Sequence, residues 1–227
     1  MTRLSPIDSR PYAWPLAAPW SVEDTALILC DLQEHFSLPG NLYHALGAEL
    51  ADIKRVMNAC EDLLISCRRL GITPVYLRYM PSVGFADLPQ PMKKRLQSIG
   101  DLDRLLPQRG MATVEIAEPV RPARDEPVID HPAWNPFIAS GLGNVLHYLG
   151  RTNVIVAGIA ADTALVSLVR EATDRGYECL MVRDACLATS ASALETICAD
   201  IVMGNGIFGC VAAVAALDDA FRSPCAS

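Results

Sequence analysis

The 227-residue sequence lacks the patterns that mark several large classes of protein. Its eight cysteines include no CxxC pair, and its four histidines do not show the spacing of metal ligands. We therefore expect neither a disulfide framework nor a metal site. The cysteines lie scattered through apolar segments, which is typical of reduced thiols that pack as small hydrophobic side chains in a cytoplasmic protein.

Long apolar runs and an excess of positive charge are missing too. No stretch approaches the roughly 20 apolar residues that a membrane-spanning helix needs, and residues 1–6 do not show the pattern of a secretory signal. The net charge of −7 argues against a nucleic-acid partner. Because neither a GxGxxG pattern nor a P-loop occurs, no organic cofactor is expected.

The sequence does contain an alternation of apolar strands and amphipathic helices. The predicted strands are 25–31, 73–79, 127–130, 154–157, 179–182 and 206–209. The predicted helices are 48–70, 142–149, 162–175, 192–201, which a capping box of Ser192 and Glu195 opens, and 211–221. This order predicts an α/β fold, a three-layer sandwich with a central, mostly parallel six-stranded sheet flanked by helices.

Two segments do not follow this alternation. Residues 1–24 are rich in proline and aromatic residues and are predicted to form an extended N-terminal arm before a single α/β domain at 25–227. Residues 80–126 carry many Pro, Gly and charged residues with weak periodicity. We expect them to form a loop-rich insertion near the functional site.

Three positions at the ends of predicted strands are candidates for chemistry. Asp31 ends the first strand, His131 follows the third, and Ala164 lies at the helix start after the fourth. Ligands of parallel sheets bind outside the carboxyl ends of the strands, so the three positions are expected to converge there. Asp31 and His131 suit proton transfer, whereas Ala164 has no reactive group.

Two motifs resemble those of the isochorismatase-like (cysteine hydrolase) superfamily. Residues 26–33 are similar to its ALxxxDxQ opening, and residues 158–165 are similar to its GxxTDxCV motif. Shorter stretches resemble the biuret-hydrolase and ureidoacrylate-amidohydrolase branch, namely 12–15, 128–130, 170–179 and 206–209. The resemblance covers nearly the whole chain and implies an isochorismatase-like fold, a small-molecule ligand and a homo-oligomer, either a dimer or a tetramer.

The same resemblance implies an Asp–Lys–Cys triad, in which the Asp deprotonates the thiol, the Lys stabilises charge and the thiolate attacks a carbonyl carbon. Asp31 matches the Asp, but His131 stands at the Lys position and Ala164 at the nucleophile position. A cis peptide bond is implied at 159–160. The implied backbone donors to an oxyanion are Ala160, Ala161 and Ala164.

Side chains from the strand ends and nearby loops are predicted to line the substrate pocket. They are Gln33, Phe36, Trp134, Asn135, Phe137 and Phe208. Core packing explains the aromatic members about as well, and loop structure explains Asn135 equally well.

Because alanine cannot form a thioester, three functions stay open. The first is an enzyme that uses Asp31 and His131 in non-covalent acid/base chemistry, as true isochorismatases do with their Asp. The reaction is then a hydrolysis, isomerisation, elimination or rearrangement of a small amide- or enol-containing molecule. The second is an inactive pseudo-hydrolase that binds a small molecule or a partner subunit. The third is an amide or urea hydrolase that uses activated water.

A relocated nucleophile is a further alternative. Strand alternation predicts that Cys30 faces the opposite side of the sheet from Asp31. Thr163, Ser167 and Cys210 are expected to cap helices or to pack.

Overall fold

A parallel sheet of six strands runs through the middle of the computed structural model, which describes residues 3–17 and 20–222. Residues 1–2 and 18–19 of the predicted arm, and Cys225, lie outside the described residues. Within them the strands are β1 (Arg3–Leu4), β2 (Trp20–Ser21), β3 (Thr25–Cys30), β4 (Thr73–Tyr79), β5 (Val128–His131), β6 (Asn153–Gly158), β7 (Glu178–Cys186) and β8 (Cys210–Ala212). The order β5-β4-β3-β6-β7-β8, with every neighbouring pair parallel, confirms the predicted sheet. β1 and β2 form a separate antiparallel pair.

Helices cover both faces of this sheet, which confirms the predicted α/β sandwich. The described residues contain α1 (Leu42–Ala45), α2 (Leu50–Leu70), α3 (Gln90–Gln97), α4 (Leu102–Leu105), α5 (Leu142–Tyr148), α6 (Val166–Asp174), α7 (Ala191–Ile201), α8 (Met203–Gly206) and α9 (Val214–Arg222). The buried residues of α2 and α9 join one core cluster, and those of α5, α6 and α7 join the other. None of these helices combines the length and apolarity that crossing a membrane requires.

The central strand β3 is buried on both faces, which is why it appears in the sequence as a continuous apolar run. Leu27 and Leu29 pack into the cluster that contains α2. Ile28 and Cys30 pack into the cluster that contains α6. Burial of each large aliphatic side chain contributes about 1.5–3 kcal/mol, so this strand is a fixed support for the residue that follows it.

The last strand lies later in the chain than predicted. Residues 206–209 are not a strand, because Gly206 and Gly209 adopt φ values of +85° and +135° that interrupt extended backbone. The strand is instead Cys210–Ala212, and the closing helix begins at Val214 rather than at residue 211.

The predicted capping box at the start of α7 is also wrong. Ser190 is the N-cap, and its hydroxyl accepts the Ala193 N–H at 3.1 Å. Glu195 forms an ion pair with Arg183 instead.

The segment 80–126 contains more regular structure than its composition suggests. It holds α3 and α4 and short 3₁₀ turns at Val83–Phe85, Ala112–Val114 and Glu118–Val120. Its Val114 carbonyl accepts a hydrogen bond from the Gln33 side chain, which lies just beyond β3. The segment is therefore tied to the carboxyl end of the central strand.

Gly158 at the end of β6 gives the first testable prediction. Its φ is +125°, and a Cβ there would lie 2.2 Å from the Cys30 carbonyl oxygen. We expect Gly158→Ala to lower the free energy of unfolding by at least about 3 kcal/mol, because it combines backbone strain with steric overlap. Denaturant unfolding measures this change. The control is Gly71→Ala, where φ is +84° but no atom lies within 4 Å, and it should cost only about 1 kcal/mol. Equal costs for the two variants would contradict the prediction.

Candidate active site

Asp31 turns sharply out of the sheet directly after β3. Its φ of +55° is left-handed, a region that Asp tolerates better than most residues. Its N–H donates to the Leu77 carbonyl of β4 at 2.9 Å, and its own carbonyl accepts the Gln33 N–H at 2.8 Å. The turn is therefore held by backbone hydrogen bonds on both sides, and it aims the carboxylate across β4.

The carboxylate of Asp31 meets the imidazole of His131, the last residue of β5. Nε2 of His131 lies 2.9 Å from Oδ1 of Asp31, and both side chains are buried, with only 4% and 0% of the Asp31 and His131 side chains exposed. The sequence therefore predicted correctly that these two residues converge. We call the pair the Asp31–His131 dyad.

The second ring nitrogen of His131 determines how many protons the dyad holds. Nδ1 lies 2.8 Å from the Ala133 carbonyl oxygen, which can only accept, so Nδ1 carries a hydrogen. In a neutral ring Nε2 would then be an acceptor facing a carboxylate oxygen, which also accepts. The contact at 2.9 Å thus requires one proton between Nε2 and Oδ1.

Electrostatics keep that proton in place. Burial disfavours the imidazolium, but the Asp31 charge and the hydrogen bonds to Asp31 and to the Ala133 carbonyl outweigh it, so the pKa of His131 is raised. A buried charge is stable only when it is paired, and each member of the dyad provides the pairing for the other.

Cys30 does not face away from the dyad, contrary to the expectation from strand alternation. Its Sγ, a carboxylate oxygen of Asp31 and a ring nitrogen of His131 all lie within 4.8 Å of one another. Alternation holds only while the backbone is extended, and the positive φ of Asp31 ends it at that residue. Burial, and then the Asp31 charge, raise the pKa of the Cys30 thiol well above its usual value, so it is held as a neutral thiol.

These three residues are the one group of metal-ligating side chains with suitable spacing in residues 3–17 and 20–222. Their donor set of sulfur, oxygen and nitrogen suits a zinc-like ion. However, the dyad already joins two of the three atoms through a shared proton, and the thiol is protonated. A metal ion bound here would release both protons, as metal binding to thiol ligands does. In the metal-free protein the group is a proton-holding pair beside a thiol.

Ala164 lies in a π-helical turn, Ala161–Leu165, between β6 and α6. It is fully buried and shares a core cluster with Cys30, whose thiol adjoins the dyad. The peptide bond Ile159–Ala160 is cis, as the family resemblance implies. Of the implied oxyanion donors, the Ala161 N–H already donates to the Leu187 carbonyl at 2.6 Å.

The hydroxyl and thiol groups considered as substitute nucleophiles have partners elsewhere. The Thr163 hydroxyl lies 3.1 Å from that of Tyr43, and the Ser167 hydroxyl donates to the Thr163 carbonyl at 3.2 Å. The Cys210 thiol donates to the Tyr12 carbonyl at 3.6 Å.

An aromatic stack covers the His131 side of the dyad. The ring of Tyr79, the last residue of β4, stands edge-on to His131 with centroids 5.8 Å apart. Trp134 stacks on the other side of that tyrosine at 5.4 Å, and its indole N–H donates to the sulfur of Met92 in α3. Sequence reasoning proposed Trp134 but missed Tyr79, since nothing distinguishes this tyrosine from any other strand aromatic.

Gln33 supports this stack and does not point into open space. Its side-chain amide donates to the Tyr79 and Val114 carbonyls, and its Oε1 accepts the Tyr79 N–H at 2.8 Å. All of these contacts are with the backbone, so the structure places Gln33 as a brace for Tyr79.

The remaining predicted pocket residues have contacts with other side chains and backbone groups. Phe36 packs on Tyr43, with ring centroids 5.1 Å apart. Asn135 accepts the N–H of Phe137. Phe137 and Phe208 lie under the arginine side chains of Arg175 and Arg170, respectively. The contacts of Phe137 and Phe208 connect these two residues with α6 and its C-cap rather than with the dyad.

Comparison with known proteins identifies the family that this chain matches. The profile of the isochorismatase domain matches residues 25–212, which is most of the chain. The chain belongs to the isochorismatase family.

Family relatives and solved structures agree with this result at low sequence identity. Ureidoacrylate amidohydrolase RutB from Acinetobacter baylyi is 24% identical over 183 residues, covering 77% of this chain and 75% of RutB. A cysteine hydrolase from Pseudomonas syringae pv. phaseolicola superposes with a TM-score of 0.78 at 21% identity, covering 96% of this chain and 97% of that one. N-carbamoylsarcosine amidase from Thermoplasma acidophilum superposes with a TM-score of 0.66 at 19% identity, covering 84% and 96%.

The pKa shift of His131 predicts how stability varies with pH in this family member. A raised pKa means that the dyad contributes its full stability below about pH 6.5 and loses it as pH rises through the folded-state pKa. The difference in unfolding free energy between wild type and the double variant Asp31→Asn/His131→Gln, which leaves no unpaired carboxylate, should therefore shrink with rising pH, with a slope of at most about 1.4 kcal/mol per pH unit. Urea unfolding from pH 5 to 9 measures it. The control is His147→Gln, which changes the same residue type at an exposed position. A dyad difference that grows with pH, or one no steeper than that of the control, would refute the prediction.

Proposed function

We propose that this chain is a small-molecule enzyme that uses the Asp31–His131 dyad to transfer a proton without a covalent intermediate. The observation that supports this most directly is the single proton required between Nε2 and Oδ1 in a buried pair. A positioned acid or base of this kind accelerates proton transfer about 10²- to 10⁴-fold. The substrate class is a small molecule with an enol, vinyl-ether or amide group.

The proposed cycle uses the shared proton as the general acid. The proton passes from His131 Nε2 to the Asp31 carboxylate and from there to the substrate atom, and the dyad is left as a carboxylate facing a neutral imidazole. That state is a general base, which removes a proton from water or from the substrate and so restores the starting pair. His131 keeps its orientation throughout because Nδ1 stays bonded to the Ala133 carbonyl.

Ala164 supports the non-covalent form of this reaction. If the Asp–Lys–Cys pattern applies, a methyl group stands where the family pattern has a thiol, and loss of a nucleophile removes several orders of magnitude of rate by the covalent route. The Cys30 thiol beside Asp31 is buried and neutral, so it replaces that nucleophile only if Asp31 first removes its proton, a route that the acetylation experiment below tests. Hydrolysis of an amide or urea by water that the dyad activates is the version closest to the RutB and N-carbamoylsarcosine amidase relatives.

A second candidate function is ligand binding without turnover. It is favoured by the burial of the dyad, whose residues are only 3% and 0% exposed, together with the alanine at position 164. The experiment below separates it from catalysis.

We also propose a homo-oligomer, a dimer or a tetramer, in the cytoplasm. The seven cysteines within the described residues are all buried and form no disulfide, which fits a reducing compartment. The family resemblance alone supports the oligomeric state.

The proposed function is tested with three probes, ureidoacrylate, N-carbamoylsarcosine and isochorismate, in water labelled with heavy oxygen. We expect wild type to convert at least one, and Asp31→Asn to lower the rate about 100- to 10,000-fold because the shared proton is lost. Mass spectrometry of the products separates hydrolysis, which incorporates label, from isomerisation. Asp24→Asn, at the opposite end of β3, is the control and should keep the wild-type rate. A rate that survives Asp31→Asn would contradict the proposal, and calorimetric binding without conversion would favour the second candidate.

The absence of a covalent step gives a separate prediction. Wild type treated with p-nitrophenyl acetate should acquire no acetyl group at residue 30 or 164, because the first is a neutral thiol and the second an alanine. Ala164→Cys restores the family nucleophile position and should acquire one acetyl group there. Intact-mass measurement and peptide mapping detect the adducts. Acetylation of Cys30 in wild type would show that the nucleophile has moved to β3.

A further inference from the structure

The phenol hydroxyl of Tyr79 is a buried polar group without a hydrogen-bond partner in the described part of the chain. The residue is 1% exposed. Its ring lies against His131, and the charge of Asp31 acts on its hydroxyl. The ring that carries this unused donor therefore packs against the dyad.

The position of this hydroxyl is fixed from three directions. The Gln33 side chain holds the Tyr79 backbone at both N–H and carbonyl. The strand pairing places its Cα opposite that of His131. Trp134 covers one ring face, nearly parallel at 5°. The hydroxyl cannot rotate away to find a partner without breaking this packing.

Comparison with Tyr76 on the same strand shows that the free hydroxyl is unusual here. Tyr76 is also fully buried, but its hydroxyl accepts from Arg68 at 3.0 Å and donates to Glu126 at 3.2 Å. A buried hydroxyl without a partner destabilises the folded state, and phenylalanine would fill the same space without that cost. The hydroxyl of Tyr79 thus lowers the stability of the folded protein, and a ligand that accepts its hydrogen bond removes this cost.

We propose that Tyr79 is a substrate-binding residue whose hydroxyl donates a hydrogen bond to a carbonyl, ether or enol oxygen of the molecule that the dyad protonates. The proposal rests on the proposed function and names a contact of the same site. Burial, and then the Asp31 charge, raise the pKa of Tyr79, so the group stays a neutral donor throughout the working pH range. With its ring fixed against the dyad, the Tyr79 hydroxyl suits a small polar ligand in which an oxygen lies next to the atom that receives the proton.

The test compares Tyr79→Phe with Tyr76→Phe, each of which removes one oxygen from a buried tyrosine of β4. For the probe that wild type converts or binds, Tyr79→Phe should raise KM or Kd about 3- to 10-fold, the effect of one lost hydrogen bond. Tyr76→Phe should leave both unchanged. In urea unfolding the order reverses: Tyr79→Phe should keep or raise the midpoint, and Tyr76→Phe should lower it because its hydrogen bonds to Arg68 and Glu126 are lost.

The outcomes distinguish this inference from the proposed function. If Asp31→Asn removes activity while Tyr79→Phe leaves KM and Kd unchanged, the function stands and the role of Tyr79 is refuted. If Tyr79→Phe weakens binding while Asp31→Asn leaves the rate intact, Tyr79 is a ligand contact and the function fails. If no probe binds, the unfolding comparison decides: a lowered midpoint for Tyr79→Phe shows that the hydroxyl has a structural role, and an unchanged or raised midpoint supports the ligand role.

Discussion

One hydrogen bond, 2.9 Å from His131 Nε2 to Asp31 Oδ1, joins the central strand of the sheet to its edge strand. Asp31 follows β3 and His131 ends β5, and β4 lies between these two strands. The contact therefore needs a carboxylate that extends across the end of β4. The left-handed backbone of Asp31 supplies that reach. An unpaired charge in such a buried place destabilises the folded state. Each of the two charged side chains is therefore stable there only while it is paired with the other. The carbonyl of Ala133 and the aromatic stack then hold the ring at the required angle.

This contact also bears on His131 and Ala164, the two positions where the family resemblance implies a departure from the Asp–Lys–Cys pattern. A lysine beside a carboxylate stays charged at every physiological pH, whereas a histidine can release and recover a proton in that range. If His131 takes the lysine position, a permanently charged pair is replaced by a pair that can release and recover a proton. A pair that transfers a proton without a covalent step does not need a thiol at residue 164. On this interpretation the two replacements agree with one another, because the proposed reaction uses neither a permanent positive charge nor a nucleophilic side chain.

The fold was predictable from the sequence because its signals are local. The apolar run 25–30 is long enough to be a buried strand, and parallel topology then places Asp31 and His131 at the same edge. The site was only partly predictable, since its decisive features depend on single backbone angles and on tertiary contacts. Alternation along β3 gave the wrong direction for Cys30, because the sequence carries no sign that Asp31 leaves the extended region. Gln33 reads as a pocket residue, and only its three hydrogen bonds to backbone show that it is a brace.

The closed cover over the dyad has a consequence for how binding and chemistry are linked. Tyr79 packs edge-on against His131, Trp134 stacks on Tyr79, and the sulfur of Met92 in α3 accepts the indole hydrogen bond. Because Asp31 and His131 are both buried, some of the side chains around them must move before a ligand reaches the proton. Moving these aromatic side chains costs stacking energy. A hydrogen bond from the Tyr79 hydroxyl to the ligand offsets part of that cost, because it gives the buried donor a partner. Once the ligand is enclosed, water is excluded and the local dielectric stays low, which strengthens each interaction with the dyad. In the proposed function, a ligand with an oxygen in reach of Tyr79 recovers part of this energy, so the side chains that cover the proton also select the molecule that receives it.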